Sequence, residues 1–222
     1  MVRHEAAEAI GAIGDQSGLP VLREYLQHEE RAIRETAEIA VAKIEYDHSI
    51  DPSKRDQIRS KYPTIDPAPP LDSSNGLDDV QMTVQSWRQT LLDESLPLFK
   101  RYRAMFALRD EGSKEAVLAL ADGFSDSSAL FRHEIAYIFG QLTSPHSVPS
   151  LVKVLRKEDE DEMVRHEAAE ALGSIADENC LPVLVEFAKK EGVPRVVRES
   201  CEVALDMVRC RFRLSFARRQ RI

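Results

Sequence analysis

Cysteine is scarce: three in 222 residues, at positions 180, 201 and 210, with no CxxC pair. So sparse and odd a count excludes a disulfide framework and fits a reducing compartment. Aromatic residues make up only 6% and glycines number nine, too few for a sandwich or barrel. No apolar run approaches 18 residues, and the N-terminus lacks a hydrophobic signal core, which argues against a membrane span or a secretory leader. There is no GxGxxG and no CxxCH, so no dinucleotide, flavin or haem site is indicated. The formal charge is −8; six arginines and no acids in the last fifteen residues leave −14 on residues 1–207. An acidic body disfavours nucleic acid and favours basic partners. The expectation is a soluble, cytosolic protein with neither a nucleic-acid nor a membrane partner.

What the chain does have is repetition. "VRHEAAEAIGAIGD" (2–15) returns as "VRHEAAEALGSIAD" (164–177), with eleven of fourteen positions identical. A third copy, "LFRHEIAYIFGQL", spans 130–142. All three fit His-Glu-x-Ala-x-x-x-Gly, giving His4–Glu5, His133–Glu134 and His166–Glu167. "IRETAEIAVAKI", "RYRAMFALRD" and "VRESCEVALDM" carry the phrase with Arg34, Arg103 and Arg198 read into the histidine slot. Between copies lie segments opened by Pro20, Pro149 and Pro182, where a first helical turn needs no amide donor. Val164, Ala168, Leu172 and Ile175 fall at helical spacing. A mid-helix glycine costs about 1 kcal/mol relative to alanine, so its recurrence at one phase implies tight helix contact. The fold class is all-α: a HEAT-like solenoid of helical pairs in units of about 30–33 residues.

The division expected from composition is 1–49 as the remnant of one solenoid half, 50–79 as linker, 80–207 as the second half and 208–222 as a basic tail. The linker holds Pro52, Pro63, Pro67, Pro69 and Pro70, which forbid a continuous helix. The tail reads as a frayed extension or a coding end altered by misassigned splicing, with an arm for an acidic partner or membrane surface as the alternative.

One His-Glu pair on a helix is most simply a solvated helix start. Three at one phase on stacked helices are different. Equivalent positions on neighbouring helices lie roughly 10 Å apart, so two histidines can reach one ion. Imidazole and carboxylate together suit iron, zinc and manganese, and two histidines with one carboxylate is the non-haem iron pattern. Two facing halves with two motifs each would require four motifs. The sequence holds three, which leads to the expectation that it begins inside a longer protein.

The stretches "MVRHEAAEAIGAIGD", "DPAPP", "LLDESLPLFKRYRAMFALRD", "SALFRHEIAYIFGQL", "EMVRHEAAEALGSIAD" and "VVRESCEVALDM" resemble the deoxyhypusine hydroxylases, HEAT-repeat di-iron monooxygenases. The resemblance covers most of 1–207. It implies two Fe(2+) ions per complete site, use of O2 and a reductant, and hydroxylation of deoxyhypusine on a translation factor. It further implies that His133 and His166 serve one iron, and His4 and Glu134 the other. Glu5 and Glu167 would hold the cationic substrate amine, with metal contact also open to them. With one motif absent, the chain alone is expected to bind the iron pair incompletely. The competing readings are a metal-free HEAT scaffold for protein partners and a phycobilin-lyase-like repeat protein.

Overall fold

The structure, a computed structural model, describes residues 2–51, 61–71 and 83–219, with side chains to residue 211. Met1, Pro52, most of the linker's remainder and the side chains of the distal arginine tail lie outside the described residues. Among the described residues there is no strand. The helices are α1 (Val2–Ile13), α2 (Leu19–Tyr25), α3 (Arg31–Ser49), α4 (Val84–Leu92), α5 (Leu98–Glu111), α6 (Lys114–Asp122), α7 (Ala129–Leu142), α8 (Val148–Arg156), α9 (Glu162–Ile175), α10 (Leu181–Lys189) and α11 (Arg195–Arg219). α11 carries the backbone of the basic tail as helix to Arg219.

The repeat turns are built the same way. α1, α5, α7 and α9 each end on a left-handed residue: Gly14, Gly112, Thr143 and Ala176. Each of these amides donates to the carbonyl four residues back, at 3.0–3.2 Å, the single-bond left-handed helix stop. After α1, α7 and α9 a short 3-10 turn follows, capped by the side chain of Asp15, Ser144 or Asp177. The next helix opens with proline near its first turn.

The recurring glycine does place helices in close contact. A Cβ on Gly11 would lie 2.9 Å from the Ala40 Cβ, and one on Gly173 2.7 Å from both Cα and Cβ of Ala204. Gly140 is looser, with 3.4 Å to the Ala171 Cα. These contacts fix the register, because Ala40, Ala171 and Ala204 share one slot. Counting back six residues, Arg34, Arg165 and Arg198 are equivalent, so the histidine slot of α3 and α11 holds Glu35 and Glu199, not arginine. In α5, Arg101 donates to the Leu91 carbonyl at 3.0 and 2.8 Å, as Arg165 donates to Leu155 at 3.1 Å, ten residues back in both cases. Tyr102 therefore stands in the histidine slot and Arg103 in the glutamate slot. Matching arginine to histidine by charge shifts these three phrases by one residue. The helix contacts correct the shift.

The described chain forms two compact units, Met1–Leu130 and Phe131–Ile222. Their boundary falls within α7, whereas composition places the break at 50–79. The segment 61–71 is helix-free, as its four prolines require, and it belongs to the first unit. Arg109 occupies the glycine slot of α5 and reaches this segment. It is fully buried, pairs with Asp66 at 2.8 and 2.6 Å, and stacks on Tyr62 and Phe106. Arg103 donates to the carbonyls of Pro69 and Pro70, and its own carbonyl accepts from the Leu71 amide. Arg103 and Arg109 of "RYRAMFALRD" and the segment "DPAPP" are thus two sides of one contact.

In the second unit, Glu160 is buried against Arg132 and Lys157. Burial alone would raise its carboxyl pKa; Arg132, the Asp161 amide and Lys157 outweigh that and hold it below the usual glutamate range. A depressed folded pKa gives stability above the unfolded value that is lost as pH falls through the folded one.

Two stability measurements check this account. Gly173→Ala lowers unfolding free energy by about 1–3 kcal/mol, the usual cost of overpacking, while Gly140→Ala costs little or stabilises, since alanine there gains about 1 kcal/mol of helix propensity. Equal effects in chemical denaturation would contradict the packing assignment. Glu160→Gln costs about 3 kcal/mol at neutral pH, as removing one partner of a buried pair does. That difference begins to narrow as pH falls below the ordinary glutamate value of about 4.5, and is lost as pH passes through the lower folded pKa.

Candidate metal centre

His166 sits five residues after the residue that caps its helix. In α9 that cap is Asp161, whose side chain accepts from the Met163 amide. In α9 the preceding arginine folds back onto the Leu155 carbonyl, so the histidine turns toward the neighbouring helices. The result is burial. His4 is 2% exposed, His133 7% and His166 8%, so none is a solvated helix start. Glu134 is 4% exposed, whereas the Glu5 side chain is 61% exposed.

His4 and Glu5 belong to the first unit, and the Glu5 Oε1 lies 3.4 Å from His4 Nε2. The second unit holds the other four candidates. His133 on α7 and His166 on α9 have ring centroids 5.6 Å apart, tilted at 43°. Glu167 Oε2 lies 3.4 Å from His133 Nε2. One ligand atom from each of His133, His166 and Glu167 falls within 4.8 Å of the others. Glu134, next to His133 in the chain, is not in this cluster. The carboxylate that meets the two imidazoles is Glu167, a residue the sequence offers both for metal and for the substrate amine.

The fit to a metal ion rests on chemistry and burial. Ligands held at about 2.1 Å from one ion stand up to roughly 4.2 Å apart, so side-chain shifts of a few tenths of an ångström suffice. Two imidazoles and a carboxylate with open positions suit ferrous iron. His166 Nε2 is buried and makes no hydrogen bond, which is costly unless something else takes its lone pair.

Residues that reading the sequence passed over also converge here. Glu170, four residues after His166 on one face of α9, approaches His166 Nδ1 at 3.4 Å. Ser200 of α11 donates to the same Glu170 oxygen at 2.9 Å. The hydrogen bond from His166 is the largest influence on the Glu170 carboxyl; with Ser200 and the charges of His166 and His133 it holds the pKa below the usual value against burial. The i, i+4 spacing after a histidine was the available signal.

The comparisons with known proteins follow the same lines. A family model described as HEAT repeats matches residues 1–52 and 117–206. The chain is 58% identical over 164 residues to a deoxyhypusine hydroxylase of Cryptococcus neoformans, covering 73% of this chain and 43% of that protein. It is 53% identical over 162 residues to a deoxyhypusine hydroxylase of Schizosaccharomyces pombe, covering 72% and 50%. Among solved structures it is similar to human deoxyhypusine hydroxylase in complex with glycerol. There the TM-score is 0.84 and the identity 48%, over 94% of this chain and 68% of that one. The chain spans about half the length of the curated relatives it matches.

Ferrous iron binding tests the cluster. His133→Ala and His166→Ala each weaken it by more than the ~10–100-fold that a lost outer-shell partner costs, while Arg198→Ala, on exposed α11 surface, leaves it unchanged. Elemental analysis of the desalted chain and chelator competition read the difference. Equal iron content in all three variants would reject the ligand assignment.

Proposed function

The chain belongs to the deoxyhypusine hydroxylase family, and from that membership we propose that it serves the hydroxylation of a deoxyhypusine side chain on a translation factor, completing hypusine. The reading includes two Fe(2+) ions per complete site, O2 and an external reductant, in a cytosolic setting. The observation that carries it is the buried convergence of His133, His166 and Glu167. A metal-free scaffold has no use for imidazoles withdrawn from water at this cost.

When bound, iron supplies the activation of dioxygen. His133 and His166 contribute neutral nitrogen donors, and Glu167 adds a carboxylate that offsets cationic charge. Their burial restricts water around the reacting groups, which strengthens each polar contact there. Glu5 is exposed and acidic, which supports a role accepting from the amine of a long cationic side chain. Its carboxylate also approaches His4, so the amine would be held beside a histidine of the same set. The cytosolic setting is supported by three free thiols. Burial pushes Cys180 up to about 11 and Cys201 up to about 12, so both stay protonated and unreactive.

The test is direct. The chain is incubated aerobically with iron, a reductant and a factor bearing deoxyhypusine, and the factor is examined by mass spectrometry. Gain of one oxygen atom, slower than with a full-length relative because the iron pair is held incompletely, and lost in His166→Ala, is the expected result; a factor left wholly unmodified under conditions where that relative completes the reaction rejects the proposal. Glu5→Gln raises KM for the factor about tenfold with a smaller change in kcat, the loss expected of one charge-assisted hydrogen bond.

A further inference from the structure

We infer that Glu170 and Ser200 form a positioning pair that fixes the ring and tautomer of His166, so that its Nε2 lone pair is presented to the cluster shared with His133 and Glu167. The inference rests on the metal reading above for its purpose, but not for its geometry.

Three side chains form a line across two helices. Ser200 Oγ on α11 donates to Glu170 Oε1 at 2.9 Å, and the same oxygen lies 3.4 Å from His166 Nδ1. A neutral imidazole carries its proton on one nitrogen only. A carboxylate beside Nδ1 stabilises the proton there, which leaves Nε2 as the bare nitrogen. That nitrogen is the one found buried without a hydrogen bond. One oxygen of the Glu170 carboxylate faces both the Ser200 hydroxyl and His166 Nδ1, so it is placed as the acceptor between them. Ser200 is buried, and its donation to the acceptor oxygen limits the rotamers open to Glu170.

The device is specific to this repeat within the second unit. The position four residues after His133 is Tyr137, a half-exposed residue that cannot supply a carboxylate. Ser200 stands in the slot that Glu167 fills in α9. The helix after the last histidine motif therefore gives a hydroxyl to the support of that motif in place of a ligand to the centre.

The experiment uses the full chain without metal. Imidazole nitrogen NMR at mildly alkaline pH reports which nitrogen of His166 holds the proton. In the wild type the proton is expected on Nδ1. Glu170→Ala, with its helical content checked by circular dichroism, moves it toward Nε2 and weakens ferrous iron binding about tenfold or more, in the range for lost outer-shell partners. Glu170→Gln, whose side-chain carbonyl still accepts, restores the Nδ1 proton. Ser200→Ala gives a smaller shift in the same direction and serves if Glu170→Ala fails to fold. A wild-type proton on Nε2, or a tautomer indifferent to both Glu170→Ala and Ser200→Ala, overturns the inference. The tautomer decides this inference without metal, and failure of the wild-type chain to bind iron would count against the proposed function alone.

Discussion

The spacing between successive histidine-bearing helices is the constraint on which the rest depends. Gly11 against Ala40 and Gly173 against Ala204 bring two backbones closer than an added Cβ would allow, and Gly140 against Ala171 sets the spacing of α7 and α9 more loosely. An α-helix that brings imidazoles to its neighbour needs that proximity, because a histidine side chain spans only part of a normal helix separation. The His133 and His166 rings stand 5.6 Å apart on α7 and α9, which meet at Gly140 and Ala171, where an added Cβ would still sit at van der Waals distance. Stacking at this spacing brings candidate ligand atoms of two repeats within 4.8 Å of one another.

Burial supplies the second half of the argument. Imidazoles on a solvated surface would be ordinary polar residues. Here they are withdrawn from water, with a carboxylate at 3.4 Å and one ring nitrogen lacking a hydrogen bond. Buried polar groups in that state are found where a ligand or ion completes them. The polar contacts around the cluster are not uniform. Glu170 and Ser200 brace His166 from α9 and α11, whereas His133 faces Glu167. The same repeat scaffold gives its histidines different surroundings, which is how identical phrases come to play distinct parts.

Much of this was legible in the sequence, for identifiable reasons. The helical repeat, the proline-opened helices, the glycine contacts and the phased histidines all rest on local periodicity, and each is present. The one-residue misplacement of Arg34, Arg103 and Arg198 has a simple origin: charge type was matched where helix register decides. Arg101 and Arg165, bonding back ten residues, show the true register. The role of "DPAPP" was not legible because it depends on Arg103 and Arg109, more than thirty residues away. Glu170 stood in plain view at i+4, but its partner Ser200 lies on another helix, and a sequence does not show which face of α11 meets α9.

The most direct measurement is an anomalous-difference map, recorded at the iron absorption edge, from crystals of the iron-loaded chain. The account predicts a peak bonded to nitrogen atoms of His133 and His166 and to the Glu167 carboxylate. Iron density elsewhere on the molecule, with no peak among these three side chains, would contradict it.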